Sequence, residues 1–302
     1  MKKIKYIFAA ILAMFFWSSS FAWVKIAFEY YNPLTIIVLR LLLAALFTKL
    51  LLFVLKKDEK IKKEHRKTIL LMAFFEPFCY FLGETFGMQY VSATLGAIIV
   101  STIPLITPIF SKIFLKETMT KFGVFGLLIS FIGVMLIVTN DFSGSNSILG
   151  IGLMLFAVMS GIGYGVLLKK MSLNYSSIIL VNKQSFYGFL YFLPLFFIFD
   201  FKKFVTINPD IRIIFIISAL SLFGSVLAFI FFTIATRNIG LNNANLFVNL
   251  IPVFAAIVSY FLINEKFTTQ KIYGIIIVVA GLFVSQINYR KRMLFSDYAV
   301  GD

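Results

Sequence analysis

Of the 13 acidic residues in this 302-residue chain, only Glu76 and Glu84 stand well inside apolar runs; the other eleven fall between runs, at their ends or in the tails. A carboxylate in hydrocarbon costs several kcal/mol unless it faces water or a partner, so an acid buried in a membrane span is a functional candidate by default. It can bind a substrate ammonium or exchange a proton. The structural alternative is an interhelical ion pair with Arg40 or Lys183. Eight residues separate the two acids, which on one helix leaves them about 80° apart around the axis and about 12 Å along it, able to line one cavity at two depths. Arg40 and Lys183 are candidate gate charges or counter-ions to a substrate carboxylate, set against simple snorkelling to the interface.

Other polar residues in apolar surroundings join the candidates. Asn242, Asn243, Asn245 and Asn249 open one run, and Asn245 and Asn249, four apart, share a helix face. Amides can satisfy both the donors and the acceptors of a zwitterionic solute, or hold helices together. Trp17, Ser18, Ser19, Tyr80, Tyr164 and Phe247 offer aromatic and hydroxyl lining for a cavity. Pro104 and Pro252, each near the middle of a run, remove a backbone hydrogen bond and give either a moving kink or a static bend. No catalytic or metal centre is expected: the single histidine, His65, lies in the most basic loop and no aspartate lies within a run. Without a phosphate loop, no nucleotide or other cofactor is expected. The single cysteine, Cys79, excludes an intramolecular disulfide.

What must position these residues follows from composition. The chain is 60% hydrophobic and 14% charged, against roughly 45–50% and about 25% in a soluble domain. Those figures argue against a water-soluble globule, and a bilayer span needs about 20 apolar residues. Apolar runs fall at about 5–25, 34–55, 68–89, 93–115, 121–139, 148–168, 177–199, 211–235, 242–263 and 270–288. Their length and lack of alternation predict helices, not barrel strands. The first run resembles a signal peptide at its start, but it continues to Ile26, long enough to span.

The net charge of +15 sits in clusters between the runs, which argues for membrane topology and against nucleic acid. With the N-terminus in the cytoplasm, cytoplasmic segments hold 18 basic residues and exterior loops 6. Both termini are therefore expected inside the cell, the protein crossing the plasma or inner membrane an even number of times.

The chain also repeats itself. Pro104 recurs as Pro252, Ser111 as Ser259, Glu117 as Glu265, Gly126 as Gly274 and Gly133 as Gly281, each pair 148 positions apart. The expected architecture is an all-α integral membrane protein of ten transmembrane helices: an inverted pair of five-helix repeats over 1–140 and 148–288, then a cytoplasmic tail over 289–302. Five being odd, the second repeat enters the membrane upside down, a construction typical of secondary transporters. The glycines, seven apart within each repeat, suit close helix packing.

Phe16-Trp17-Ser18-Ser19-Ser20-Phe21, Leu39-Arg40-Leu41-Leu42, Val91-Ser92-Ala93-Thr94 and Pro104 followed by Leu115-Lys116-Glu117-Thr118, in that order and with their duplication, resemble EamA-type members of the drug/metabolite transporter superfamily. The second half departs from that pattern, with Asn182-Lys183-Gln184 where an arginine is usual and no tryptophan near Tyr164. The resemblance implies alternating-access transport, by export or uptake, of amino acids, related metabolites or drugs. The partners expected are a small organic solute, protons through Glu76, and the lipid bilayer. A non-transporting scaffold or receptor, or a membrane-embedded enzyme, are the alternatives from other classes.

Overall fold

Long apolar runs leave the backbone one local way to satisfy its polar groups, the helix, and the helices begin and end at the polar breaks of the sequence. The computed structural model describes residues 4–57, 59–91, 96, 99–138, 147–263 and 268–296, and no strand occurs among them. Ser92, Ala93, Thr94, Asn140, Glu265 and Lys266 lie outside the described residues. The ten runs are helical over most of their described length. Six helical stretches are long and apolar enough to cross a membrane: Ile4–Ala27, Pro33–Val54, Lys63–Tyr90, Ile148–Ser172, Ile211–Ile239 and Leu241–Val258. Ile103–Leu115, Lys121–Ile137 and Thr269–Ser285 are shorter apolar helices.

The elements that matter for the site are α1 (Ile4–Ala27), α2 (Pro33–Val54), α3 (Arg66–Ala73), α4 (Tyr80–Tyr90), α5 (Ile103–Leu115), α6 (Lys121–Val138), α7 (Ile148–Ser172), α8 (Ser177–Phe199), α9 (Ile211–Ala219), α10 (Ala228–Ile239), α11 (Leu241–Leu246), α12 (Leu250–Ile263) and α13 (Thr269–Ser296). The principal helix pairs are α6 with α13, α2 with α8, α4 with α7 and α1 with α10. Large apolar side chains such as Phe53, Phe125, Ile148, Phe215 and Phe283 are exposed on the outside. Water would not tolerate that surface on a monomer, and lipid covers it.

Several runs are broken, and the breaks set the geometry. Between α3 and α4 the chain passes through a wide π turn, Phe74–Cys79, in which Glu76 is not helical (φ −147°, ψ 119°). The cause is local: the residue before a proline is pushed out of the helical region, and Pro77 has no N–H to give. A second π turn, Leu220–Leu227, joins α9 to α10, and a 3-10 turn, Phe247–Asn249, joins α11 to α12. Ser101 and Thr102 form a turn ahead of α5.

Pro104 and Pro252 do not sit where a mid-helix kink would put them. Each stands in the first turn of its helix, α5 or α12, where the missing N–H is one the helix leaves unpaired anyway. The breaks precede them, at Ser101–Thr102 and Phe247–Asn249.

Small residues and carboxylates fix the pairings. A Cβ on Gly126 would collide with the backbone at Gly281 and Ser285, and one on Gly133 with the backbone at Gly274 and Val278. Helices α6 and α13 therefore cross antiparallel at backbone contact. At one end of the α2/α8 pair, Asp200 accepts from the Thr35 backbone N–H (3.0 Å), the Thr35 hydroxyl (3.1 Å) and Asn32 Nδ2 (3.1 Å), placing a carboxylate on the N-terminus of α2. At the other end, Glu59 accepts from the Ser176 N–H (3.0 Å), just ahead of α8.

Candidate functional site

The broken third run, α1, α2, α7, α10 and the α11 to α12 break surround a cavity with about 800 Å³ of space free of protein atoms, its opening included. Trp17, Arg40, Glu76, Tyr80, Glu84, Tyr164 and Asn245 all line it, so seven residues singled out from sequence meet at one place. Ser18, Ser19, Lys183, Asn249 and the two prolines do not line it, although Ile103 and Ile251 beside the prolines do.

Glu76 projects from the point where its helix is unwound. It is 7% exposed and makes no hydrogen bond, and no ion pair within 4.0 Å, with any described residue. Glu84 is half-buried on α4, with Tyr80 one turn before it on the same helix. Arg40, on α2, is 3% exposed. Its Nε donates to Ser225 Oγ at 2.6 Å, and its guanidinium carbon lies 4.3 Å from the centre of the Phe81 ring. No salt bridge joins Arg40 to either acid within 4.0 Å among the described residues.

Aromatic rings line the cavity as well. Trp17 meets Phe229 edge-on at 5.2 Å and Phe232 at 5.0 Å between centroids. The buried Tyr164 hydroxyl donates to Gln184 Oε1 at 2.9 Å, which holds that ring in place.

The asparagines divide. Asn245 Nδ2 donates to Thr107 Oγ1 (2.8 Å) and Asn249 Nδ2 to Ser130 Oγ (3.1 Å). The 3-10 turn between them ends the shared face that a continuous helix would have given. Ser19 Oγ donates to the Phe15 carbonyl (3.0 Å), while Ser18 Oγ, buried, and Lys183, half-buried on α8, have no hydrogen bond among the described residues. Asn182 beside it donates to Thr48 Oγ1 (3.0 Å) and the Ala45 carbonyl (3.1 Å), tying α8 to α2.

Ser20, Phe81, Thr85, Phe229 and Phe232 also line the cavity and were not singled out from sequence. The available signal was periodicity: Trp17, Ser20, Phe21 and Val24 follow the i, i+3, i+4, i+7 spacing of one helix face, which selects Ser20 over Ser18 and Ser19. Two pairs of lining residues, Val100 with Val248 and Ile103 with Ile251, are 148 positions apart.

One end of the bundle is tied by Glu117. Its carboxylate accepts from the Leu241 backbone N–H (3.0 Å) and faces Lys169 Nζ at 3.8 Å. Lys169 donates in turn to the Thr236 and Arg237 carbonyls (3.0 Å each), so the ends of α5, α7, α10 and α11 are held together.

The profile of the EamA-like transporter family matches this chain twice, over residues 4–139 and 148–286. Among curated proteins, the chain is similar to the "Uncharacterized transporter YetK" of Bacillus subtilis (strain 168), at 28% identity over 260 residues, covering 84% of this chain and 78% of that protein. An "Uncharacterized transporter" of Archaeoglobus fulgidus is 26% identical over 277 residues, covering 91% of this chain and 94% of its own length. A solved structure titled "Crystal structure of protein" superposes with a TM-score of 0.79, covering 93% of this chain and 98% of that one; at 11% identity this likeness concerns the fold alone.

Proposed function

The chain belongs to the EamA-like transporter family, and we propose that it is a secondary transporter that moves small organic solutes out of the cell by alternating access, with the cavity around Glu76 and Arg40 as the cargo site. The observation that carries this reading is the cavity itself: two carboxylates, a guanidinium and a wall of aromatic rings enclosed among apolar helices. Embedded charges are costly and are kept where they meet a cargo or an ion.

The proposed architecture is ten spans in two inverted halves, 1–140 and 148–288, with both termini and the 289–302 tail in the cytoplasm. The twofold match of the family profile supports two halves. The antiparallel crossing of α6 and α13 supports inversion, because Gly126 with Gly281 and Gly133 with Gly274 are the same contact once the halves are exchanged. Breaks ahead of Pro104 and of Pro252 give each half a discontinuous helix beside the cavity, as in other inverted-repeat transporters. In this reading the helix starts at the two prolines swing as the halves exchange conformations. Glu117 with Lys169 closes the cytoplasmic end, and Glu76 carries a coupled proton. Lys183 is a gate charge of the second half, and the amides of Asn245 and Asn249 guide the moving helix.

The test is flux from proteoliposomes loaded with a mixed metabolite pool, followed by mass spectrometry with and without a pH gradient. Selective loss of one solute class is expected, faster when the gradient is imposed. Folded protein that releases nothing selectively would overturn the transport reading in favour of a scaffold. Flux indifferent to the gradient would remove proton coupling alone.

A further inference from the structure

Resting on the transport reading, we propose that the cargo of this site is an organic cation, an amine or quaternary ammonium bearing an apolar or aromatic group, and that a carboxylate on the cargo is not needed. The argument is one of charge balance in a desolvated space. Among the described residues, two acids, Glu76 and Glu84, and one base, Arg40, line the cavity. Arg40 balances one carboxylate; the second has no counter-charge in the cavity and, in the coupled-proton reading, holds a proton while the site is empty.

When that proton leaves, a zwitterion brings no net charge to replace it, an anion adds a second negative charge, and a monocation takes the proton's place. Uncompensated charge away from water is the expensive case. Arg40 is also partly committed, its Nε to Ser225 and its planar face to Phe81. Glu76 is the opposite: more than nine-tenths buried, lining the cavity and without a hydrogen-bonding partner among the described residues. It offers both carboxylate oxygens to whatever enters. The walls agree with this assignment, since Trp17, Tyr80 and Phe229 line the cavity, and aromatic rings attract ammonium groups once water is excluded.

The probe is phenethyltrimethylammonium, whose permanent charge keeps it from crossing lipid unaided, compared with phenylalanine as the zwitterion and 3-phenylpropionate as the anion. Proteoliposomes holding the full-length protein are expected to accumulate the quaternary amine saturably, and at least tenfold faster than either comparison solute. Glu76→Gln should lower that uptake at least tenfold, and Glu76→Asp, which keeps the charge, should restore part of it. Binding without transport is read from protection against heat in detergent: the quaternary amine should raise the melting temperature of the native chain and not that of Glu76→Gln. If phenylalanine or another zwitterion moves and the quaternary amine neither moves nor protects, the cation assignment falls while transport stands. If no solute moves and none protects, both fall.

Discussion

Replacing Arg40 with alanine is expected to destabilise the protein by about 3–5 kcal/mol, the usual cost of removing one member of a buried group of charges, and to abolish solute flux. Three losses act together. Ser225 Oγ loses the donor at 2.6 Å, the Phe81 face loses the cation 4.3 Å from its centre, and Glu76 and Glu84 are left with no basic residue beside them in the cavity. Arg40→Lys restores the charge but not the flat guanidinium that stacks on Phe81 while donating sideways to Ser225, so it should recover only part of the stability. Thermal unfolding of the purified proteins in detergent checks both variants. An Arg40→Ala protein that melts with the native chain would mean that the acids are solvated from outside and that the site is not the closed charge cluster described here.

The second large effect is expected at the crossing of α6 and α13. Gly133→Leu drives a side chain into the backbone at Gly274 and Val278, neither of which can rotate aside. Overpacking in a core costs typically about 1–3 kcal/mol, and here the colliding atoms are main chain, so the upper end of that range is expected, with lower yield of folded protein. Gly152 is the control: nothing lies within 4 Å of a Cβ placed there. Gly152→Ala, on the exposed side of α7, should be neutral or stabilising by up to about 1 kcal/mol through helix propensity. Equal behaviour of the two variants in size-exclusion profile and melting temperature would show that the crossing does not hold the fold together.

The outline of the helices and the charged lining of the cavity were legible in the sequence because membrane physics makes buried charge conspicuous. Glu76, Glu84 and Arg40 stood out as exceptions in apolar runs, and all three line one cavity. Where the reading slipped, it had assumed unbroken helices. The π turn at Phe74–Cys79 changes the angle between Glu76 and Glu84, and the 3-10 turn at Phe247–Asn249 sends Asn245 and Asn249 to different neighbours. The turn at Ser101–Thr102 has no glycine or proline of its own to announce it, and the nearby proline reads as a kink until the helix start just before it is known.

Ser18 and Ser19 against Ser20 is a matter of one or two residues, but each residue turns a helix by about 100°, enough to move a hydroxyl off the cavity wall. Glu117 accepts from Leu241, far along the chain, a contact that only the tertiary structure defines. The six stretches that qualify as spans by length and hydropathy do not include α8. Asn182, Lys183 and Gln184 interrupt it, and two of them work inside the bundle, Asn182 on Thr48 and Gln184 on Tyr164.

The central claim is that one cavity opens in turn to the two sides of the membrane, and thiol accessibility tests it most directly. Cys79 is the only cysteine, so Cys79→Ser gives a clean background, and Thr85, buried on the cavity wall, accepts a cysteine of similar size. In sealed vesicles of known orientation, a membrane-impermeant maleimide should label Thr85→Cys from either side, with the favoured side reversing when the solute gradient is reversed. Labelling from one side only, unchanged by any gradient, would contradict alternating access and leave a cavity that binds without transporting.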